Sequence, residues 1–160
     1  MSAMLALLTL VAVQDSCPAG AEPVPPALSG WGAGATIAAS SDPRSAPGLS
    51  PGATATLSLH PSDHVDLIAP PQRKSAGASN AGYAAVEITT PGTYRVALSD
   101  RAWIEVLKDG KAIRSTAHGH GPRCSGMRKI VDFELAKGRH LLQISGNPTA
   151  TLHVMVVAAQ

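Results

Sequence analysis

The sequence predicts an all-β protein, an antiparallel β-sandwich of jelly-roll type over residues 53–160. Apolar and polar residues alternate in one short segment after another, which indicates strands with one buried face. The 15 glycines and 13 prolines are spread through the chain and divide it into segments with the spacing of hairpins. Residues 14–160 show no convincing helical pattern, so we expect a layered sheet.

The first strands are expected in the middle of the chain. In residues 53–60, alanine and leucine alternate with threonine, serine and histidine. A second candidate strand covers residues 83–89. The pair Pro91-Gly92 predicts a turn before a third strand at residues 94–98, because proline presets φ and glycine tolerates a positive φ.

A hairpin is the clearest local signal. Residues 103–115 place β-forming side chains on both sides of Asp109-Gly110, a pair that favours the type I′ turn. An irregular loop is expected at residues 117–127. Further candidate strands follow at residues 129–135, 139–145 and 151–157.

The N-terminal third has a different character. Residues 1–13 contain an apolar run, too short to span a bilayer, that predicts a signal peptide; the alternative is a buried strand or helix of the domain. Residues 14–52 form a Pro/Ala/Gly-rich segment of expected irregular structure. Trp31 and Ile37 are the residues in it that we expect to dock on the domain, because burying them is favourable.

Length, charge and hydropathy limit the partners. A chain of 160 residues accommodates one domain, and Lys plus Arg exceed Asp plus Glu by only 13 to 11. This small excess does not indicate nucleic acid, and the absence of a second apolar run predicts no stable membrane insertion. The expected location is the periplasm or the extracellular medium, and the partner is a small molecule, a glycan or a protein.

Export also changes how the two cysteines are interpreted. An even pair in an oxidising compartment predicts a disulfide between Cys17 and Cys124. The alternative is a free Cys124 that acts as a metal ligand or nucleophile.

The sequence HGHG is the most unusual local motif. On an extended segment, His118 and His120 would project to the same side, and imidazole is a ligand for Cu, Zn or Fe. Gly119 and Gly121 would let the backbone turn closely around a ligand, and Arg123 completes this candidate ligand loop.

Two histidines do not make a stable metal site, which needs three or four ligands. His60 and His64 are the preferred additional ligands. The alternative is a polar loop in which both histidines of the motif bond to the backbone. Other available side chains are His140 and His153, both expected on outward faces, together with Asp66 and Cys124.

No catalytic residue is predicted. The chain has no nucleophile elbow, P-loop or dinucleotide fingerprint. Cupins also carry an HxH motif, but their following acidic ligand is replaced here by Cys124. Asp132 and Glu134 alternate with apolar residues and are expected on a solvated strand face.

The segments GTYRVAL, AHGHGP and VDF within residues 89–146 resemble a family of small exported bacterial β-sandwich proteins. Members of that family often carry the label homogentisate 1,2-dioxygenase, which would imply an iron-dependent oxygenase. The resemblance also matches Cys17 and Cys124 to paired family positions, which favours the disulfide. The PGTY entry and the later GR and SG residues are similar in layout to the bacterial pre-peptidase C-terminal domain.

These observations lead to a first hypothesis of an exported, non-enzymatic binding or accessory module. A periplasmic metal-binding protein that uses the HGHG motif is the alternative. An iron-dependent dioxygenase acting on homogentisate is the third.

Overall fold

Two β-sheets face each other in the computed structural model, which describes Cys17, residues 22–71 and residues 77–159. The predicted signal peptide, residues 1–13, lies outside the described residues. Sheet A contains, in spatial order, β1 (Ala35–Ala38), β3 (Thr54–Ser58), β12 (Thr151–Ala158), β6 (Gly92–Leu98), β10 (Lys129–Leu135) and β9 (Ser115–Gly119).

Sheet B is the second layer. Its spatial order is β2 (Gly48–Leu49), β5 (Asn80–Ile88), β11 (Gly138–Asn147), β7 (Trp103–Lys108) and β8 (Lys111–Ile113), and β4 (His60–Pro61) also pairs with β5. Short 3₁₀ turns occupy Pro26–Leu28, Pro43–Ser45 and Ser62–His64. Among the described residues, no helix is long and apolar enough to cross a membrane.

The core lies between the sheets and confirms the predicted alternation. Every second residue of β6, β10 and β12 points inward, where Val96, Phe133 and Val154 are almost fully buried. From sheet B, Leu142 and Ile144 of β11 meet them. Burial of these apolar side chains supplies the main favourable free energy of folding. Most of them are aliphatic, because the chain has few aromatic residues.

The N-terminal segment contributes more structure than the sequence predicts. Its strands β1 and β2 pair in parallel with β3 and β5, whereas all other strand pairs are antiparallel. Gly34 makes the first pairing possible, since a Cβ there would collide with the Thr54 carbonyl oxygen. Ile37 of β1 packs against the core, as predicted.

Trp31 docks on the outer face of sheet A. It packs with Met127 and Met155, and its Nε1–H donates to the Ser125 carbonyl oxygen at 2.9 Å. His153 of β12 faces the same side, as expected, with its ring centroid 6.4 Å from that of Trp31.

The predicted disulfide is present between Cys17 and Cys124, with Cα atoms 5.8 Å apart. It closes a loop of sequence separation 107 and joins the beginning of the N-terminal segment to the loop after the HGHG motif. Cys124 is therefore neither a free nucleophile nor a metal ligand.

The predicted hairpin also forms. Asp109 and Gly110 adopt φ values of 51° and 73° between β7 and β8, as a type I′ turn requires.

The expectation for His140 is wrong. It shares the inward face of β11 with Leu142 and Ile144 and is 0% exposed. Its Nδ1–H donates to the Gly138 carbonyl oxygen at 3.0 Å, and its Nε2 has no hydrogen-bond partner among the described residues. Burial lowers the pKa of His140 below its ordinary 6.5, although the Gly138 bond opposes this.

Removal of the disulfide should destabilise the fold. We expect the double variant Cys17→Ser/Cys124→Ser to lose about 2–4 kcal/mol of unfolding free energy, because the unfolded chain regains the entropy of a long open loop. Urea unfolding of the variant and the parent measures this difference. Equal stability of the variant and the parent would contradict the structural role of the bridge.

Stability should also depend on pH through His140. Above pH 6.5 the ring is neutral in both states; below it the unfolded state takes a proton that the buried ring resists. The unfolding free energy should therefore fall as pH decreases from 6.5, by at most about 1.4 kcal/mol per pH unit from this group.

The comparison of two variants isolates that contribution. His140→Leu should flatten the slope below pH 6.5, whereas His64→Gln should keep it, because the His64 side chain is 68% exposed. Guanidinium titrations between pH 7 and 5 provide the data. A slope unchanged in His140→Leu would show that this ring does not titrate differently in the two states.

Candidate functional site

A groove opens where the edges of the two sheets do not match. Strand β8 pairs with β7 only along Val106–Lys108, so Trp103–Glu105 has no partner on that edge among the described residues. The chain then leaves sheet B at Arg114 and enters β9 of sheet A. A groove consequently lies between β7 and β9 at the margin of the sandwich.

This opening, the Trp103 groove, has a volume of about 690 Å³. Ile104, Val131 and Phe133 form an apolar floor that belongs to the main core. The polar residues around it are Glu105, Arg114, Ser115, His118 and Lys129.

Trp103 and Lys129 contact each other at the groove. The Lys129 Nζ lies 4.7 Å from the Trp103 ring centroid and donates to the Ala102 carbonyl oxygen at 3.0 Å. The Trp103 Nε1–H donates to Glu105 Oε1 at 2.8 Å. A cation–π contact and two hydrogen bonds therefore fix the indole and the ammonium group.

Lys129 carries its charge in a partly buried position. It shares the inward face of β10 with Val131 and Phe133, and burial lowers its pKa, while the negative charge of Glu105 opposes that shift. A desolvated cation interacts more strongly with an anion than a fully hydrated one does. No motif in the sequence marks Lys129, Trp103 or Glu105 as a site residue.

The opposite wall of the groove is held by a buried polar pair. Tyr83 of β5 and Gln143 of β11 are each 0% exposed on the outer face of sheet B. Gln143 accepts from the Ala69 N–H at 3.0 Å and donates to the Ala69 carbonyl oxygen at 2.6 Å. Tyr83 Oη accepts from the Ile68 N–H at 2.9 Å, and burial raises the pKa of this hydroxyl.

These bonds position Ala69 and Pro70, which line the groove. The Gln143 side-chain amide bonds to the N–H and the carbonyl oxygen of Ala69 as a neighbouring strand would, although Ala69 itself lies outside any strand. The wall therefore depends on side-chain bonds rather than on a backbone ladder.

The HGHG motif lies at the end of β9, where the expected irregular loop is partly a strand. His118 pairs with Val131 of β10, so both face the interior side of sheet A, and His118 borders the groove. β9 ends at Gly119. His120 lies beyond it, and its Nδ1–H donates to the Arg128 carbonyl oxygen at 3.0 Å.

The glycines of the motif have different roles from those expected. A Cβ at Gly121 would collide with Met127, so this glycine allows the loop to pack on a buried methionine. A Cβ at Gly119 would meet nothing within 4 Å. Arg123 is exposed and lies outside the residues that line the groove.

His60 and His64 are not brought to the HGHG motif. His60 lies in β4, next to β5 at the far edge of sheet B, and its Nε2–H donates to the Ala39 carbonyl oxygen at 2.8 Å. His64 lies in an exposed 3₁₀ turn beside Asp63. Within residues 22–71 and 77–159, no three His, Cys, Asp or Glu side chains lie close enough together to hold a metal ion.

A smaller depression of about 310 Å³ lies on the outer face of sheet A beside His120. The Arg95 guanidinium donates to both carboxylate oxygens of Asp132 at 2.8 Å there, and this raises the pKa of Arg95. Asp132 is thus on the outward face, as predicted, and its charge is paired.

No protein-family model matches the chain, and no curated protein matches it.

The wall contacts can be tested by two substitutions on one strand. Gln143→Leu should lower the unfolding free energy by about 1–3 kcal/mol, because the Ala69 N–H and carbonyl oxygen lose their partner. Ser145→Ala is the control two residues away. The Ser145 hydroxyl is buried without a hydrogen-bond partner among the described residues, so its removal should be neutral or slightly stabilising. Thermal and urea unfolding measure both, and equal losses in the two variants would contradict this assignment.

Proposed function

We propose that this protein is an exported, non-enzymatic binding module that takes its ligand in the Trp103 groove. The carrying observation is the fixed arrangement of Trp103, Lys129 and Glu105 beside a groove with a partly apolar lining. A concave apolar surface with a few convergent polar groups is typical of ligand sites. The disulfide supports export, because such bonds persist in oxidising compartments.

The expected ligand combines an apolar or aromatic part with a negatively charged group. The Trp103 indole and the half-buried Ile113 side chain offer contact area to the apolar part, while Lys129 and Arg114 attract the charge. Among the described residues that line the groove, Glu105 is the single carboxylate, and it already accepts from the indole. The ammonium group of Lys129 likewise bonds to Ala102. Both groups therefore have a positioning role, which supports binding rather than turnover.

The site can be located by NMR screening of the mature, oxidised protein with a library of small aromatic and aliphatic carboxylates. We expect the shifts to concentrate on the Trp103 indole N–H and on the amides of residues 103–105, 114–118 and 129–133. Lys129→Met should weaken binding about tenfold, because the alkyl contact remains and the charge is lost.

The matched control is Lys137→Met, which removes an exposed lysine charge beyond the other end of β10. It should leave the affinities unchanged. A screen without hits, or hits clustered on another surface, would contradict the proposed site.

Oxygen consumption separates this proposal from an iron-dependent dioxygenase. Purified protein supplied with Fe(II) and homogentisate should show no oxygen uptake above the rate of a protein-free control. Sustained uptake that His118→Ala/His120→Ala abolishes would overturn the non-enzymatic proposal and assign the HGHG motif to a metal centre.

A further inference from the structure

Strand β9 is an edge strand whose outer side is free among the described residues. It is the outermost strand of sheet A, all five of its residues are exposed, and no described strand pairs with its outer side. Its sequence, STAHG, contains no lysine, carboxylate or proline, the residues that commonly block strand addition. A bulge at Thr116 interrupts the ladder, and Ala117–Gly119 continues it regularly.

The other edges differ from β9 in length or surroundings. β8 has three residues and begins with Lys111, and β2 has two residues. β1 is uncharged, but none of its residues lines either of the cavities described above. β8 and the unpaired Trp103–Glu105 edge also border the groove, but each has three residues, whereas β9 offers a free edge of five residues.

The groove lies where an added strand would place its side chains. Ser115 and His118 pair with Phe133 and Val131, so this face of β9 is directed to the interior side of sheet A. A chain that pairs with the outer side of β9 would direct every second side chain to the same side, into the mouth of the groove. Ile68, one of two exposed large apolar residues in the described part of the chain, directly precedes the groove wall.

Charge further restricts the occupant. Arg114 is exposed at the crossing from β8 to β9, and its guanidinium makes no hydrogen bond or ion pair to the described residues. Arg114 and Lys129 share the described lining of the groove with one carboxylate, Glu105, so this part of the mouth carries excess positive charge. An acidic side chain on the entering strand would complement it.

We propose that β9 accepts an extended peptide segment of a partner protein as an added strand. One acidic side chain of the segment faces Arg114, and apolar side chains at alternate positions enter the Trp103 groove. This inference depends on the proposed function, because it names the ligand class of the same groove.

The probe is the capped heptapeptide Thr-Glu-Thr-Val-Thr-Val-Thr, whose glutamate and valines share one face in an extended conformation. NMR titration should shift the amides of Ser115–Gly119 together with the Trp103 indole N–H. Replacement of its glutamate by lysine should weaken binding about tenfold. Arg114→Met should remove most of that preference, and Lys137→Met should retain it.

Backbone methylation tests the strand geometry. Successive residues of a strand direct their N–H groups to opposite edges, so N-methylation of the threonines and N-methylation of the other three residues block different edges. One methylated peptide should lose binding and the other should retain it. Equal affinity of the two methylated peptides would overturn strand addition.

The outcomes separate this inference from the proposed function. Carboxylate fragments that bind the groove, without any shift from the heptapeptide, would refute the inference and leave the groove assignment intact. Light scattering at the same protein concentrations tests whether a second copy of the chain, rather than a peptide, pairs with β9. A dimer with protected β9 amides would overturn the peptide proposal.

Discussion

The structure depends on apolar side chains packed between two sheets whose edges have different lengths. Along most of the sandwich each sheet covers the inward face of the other, and Val96, Phe133 and Leu142 are excluded from water. Coverage ends where β8 stops after three residues and the chain crosses to β9. The groove is thus a direct consequence of strand length, and its floor is formed by buried residues at the margin of the core.

The same constraint explains why the groove can be a rigid site. Its floor residues are fixed by the packing of both sheets, and Trp103 and Lys129 are fixed by bonds to Glu105 and to the Ala102 carbonyl oxygen. The remaining wall is tied to β5 and β11 through Tyr83 and Gln143. A site supported in this way binds without a large ordering cost, because its side chains are already restrained.

Much of the fold was predictable from the sequence, since alternation depends only on which face is buried. The strands of residues 53–60, 94–98, 129–135 and 151–157 and the turn at Asp109-Gly110 follow from that rule and from turn chemistry. The predicted outward orientation of His140 is wrong, although its spacing from Leu142 and Ile144 places all three on one face. The parallel pairing of β1 and β2 was not predictable, because it depends on contacts between distant segments that alternation does not encode.

The site was harder to predict than the fold for a related reason. Trp103 and Lys129 are 26 positions apart (129 − 103), and only the assembled sandwich brings the ammonium group over the indole. The HGHG motif predicts a pair of metal ligands. In the structure, Gly121 allows packing against Met127, and His120 bonds to the backbone. A compact motif gives a stronger sequence signal than a site assembled from separate strands.

A crystal structure of the protein soaked with its tightest-binding carboxylate probe tests directly whether the Trp103 groove binds the ligand. We expect electron density for the probe between Trp103 and His118, with its charged group near Lys129 or Arg114. Density for the probe only on another surface, with the Trp103 groove filled by solvent, would contradict it.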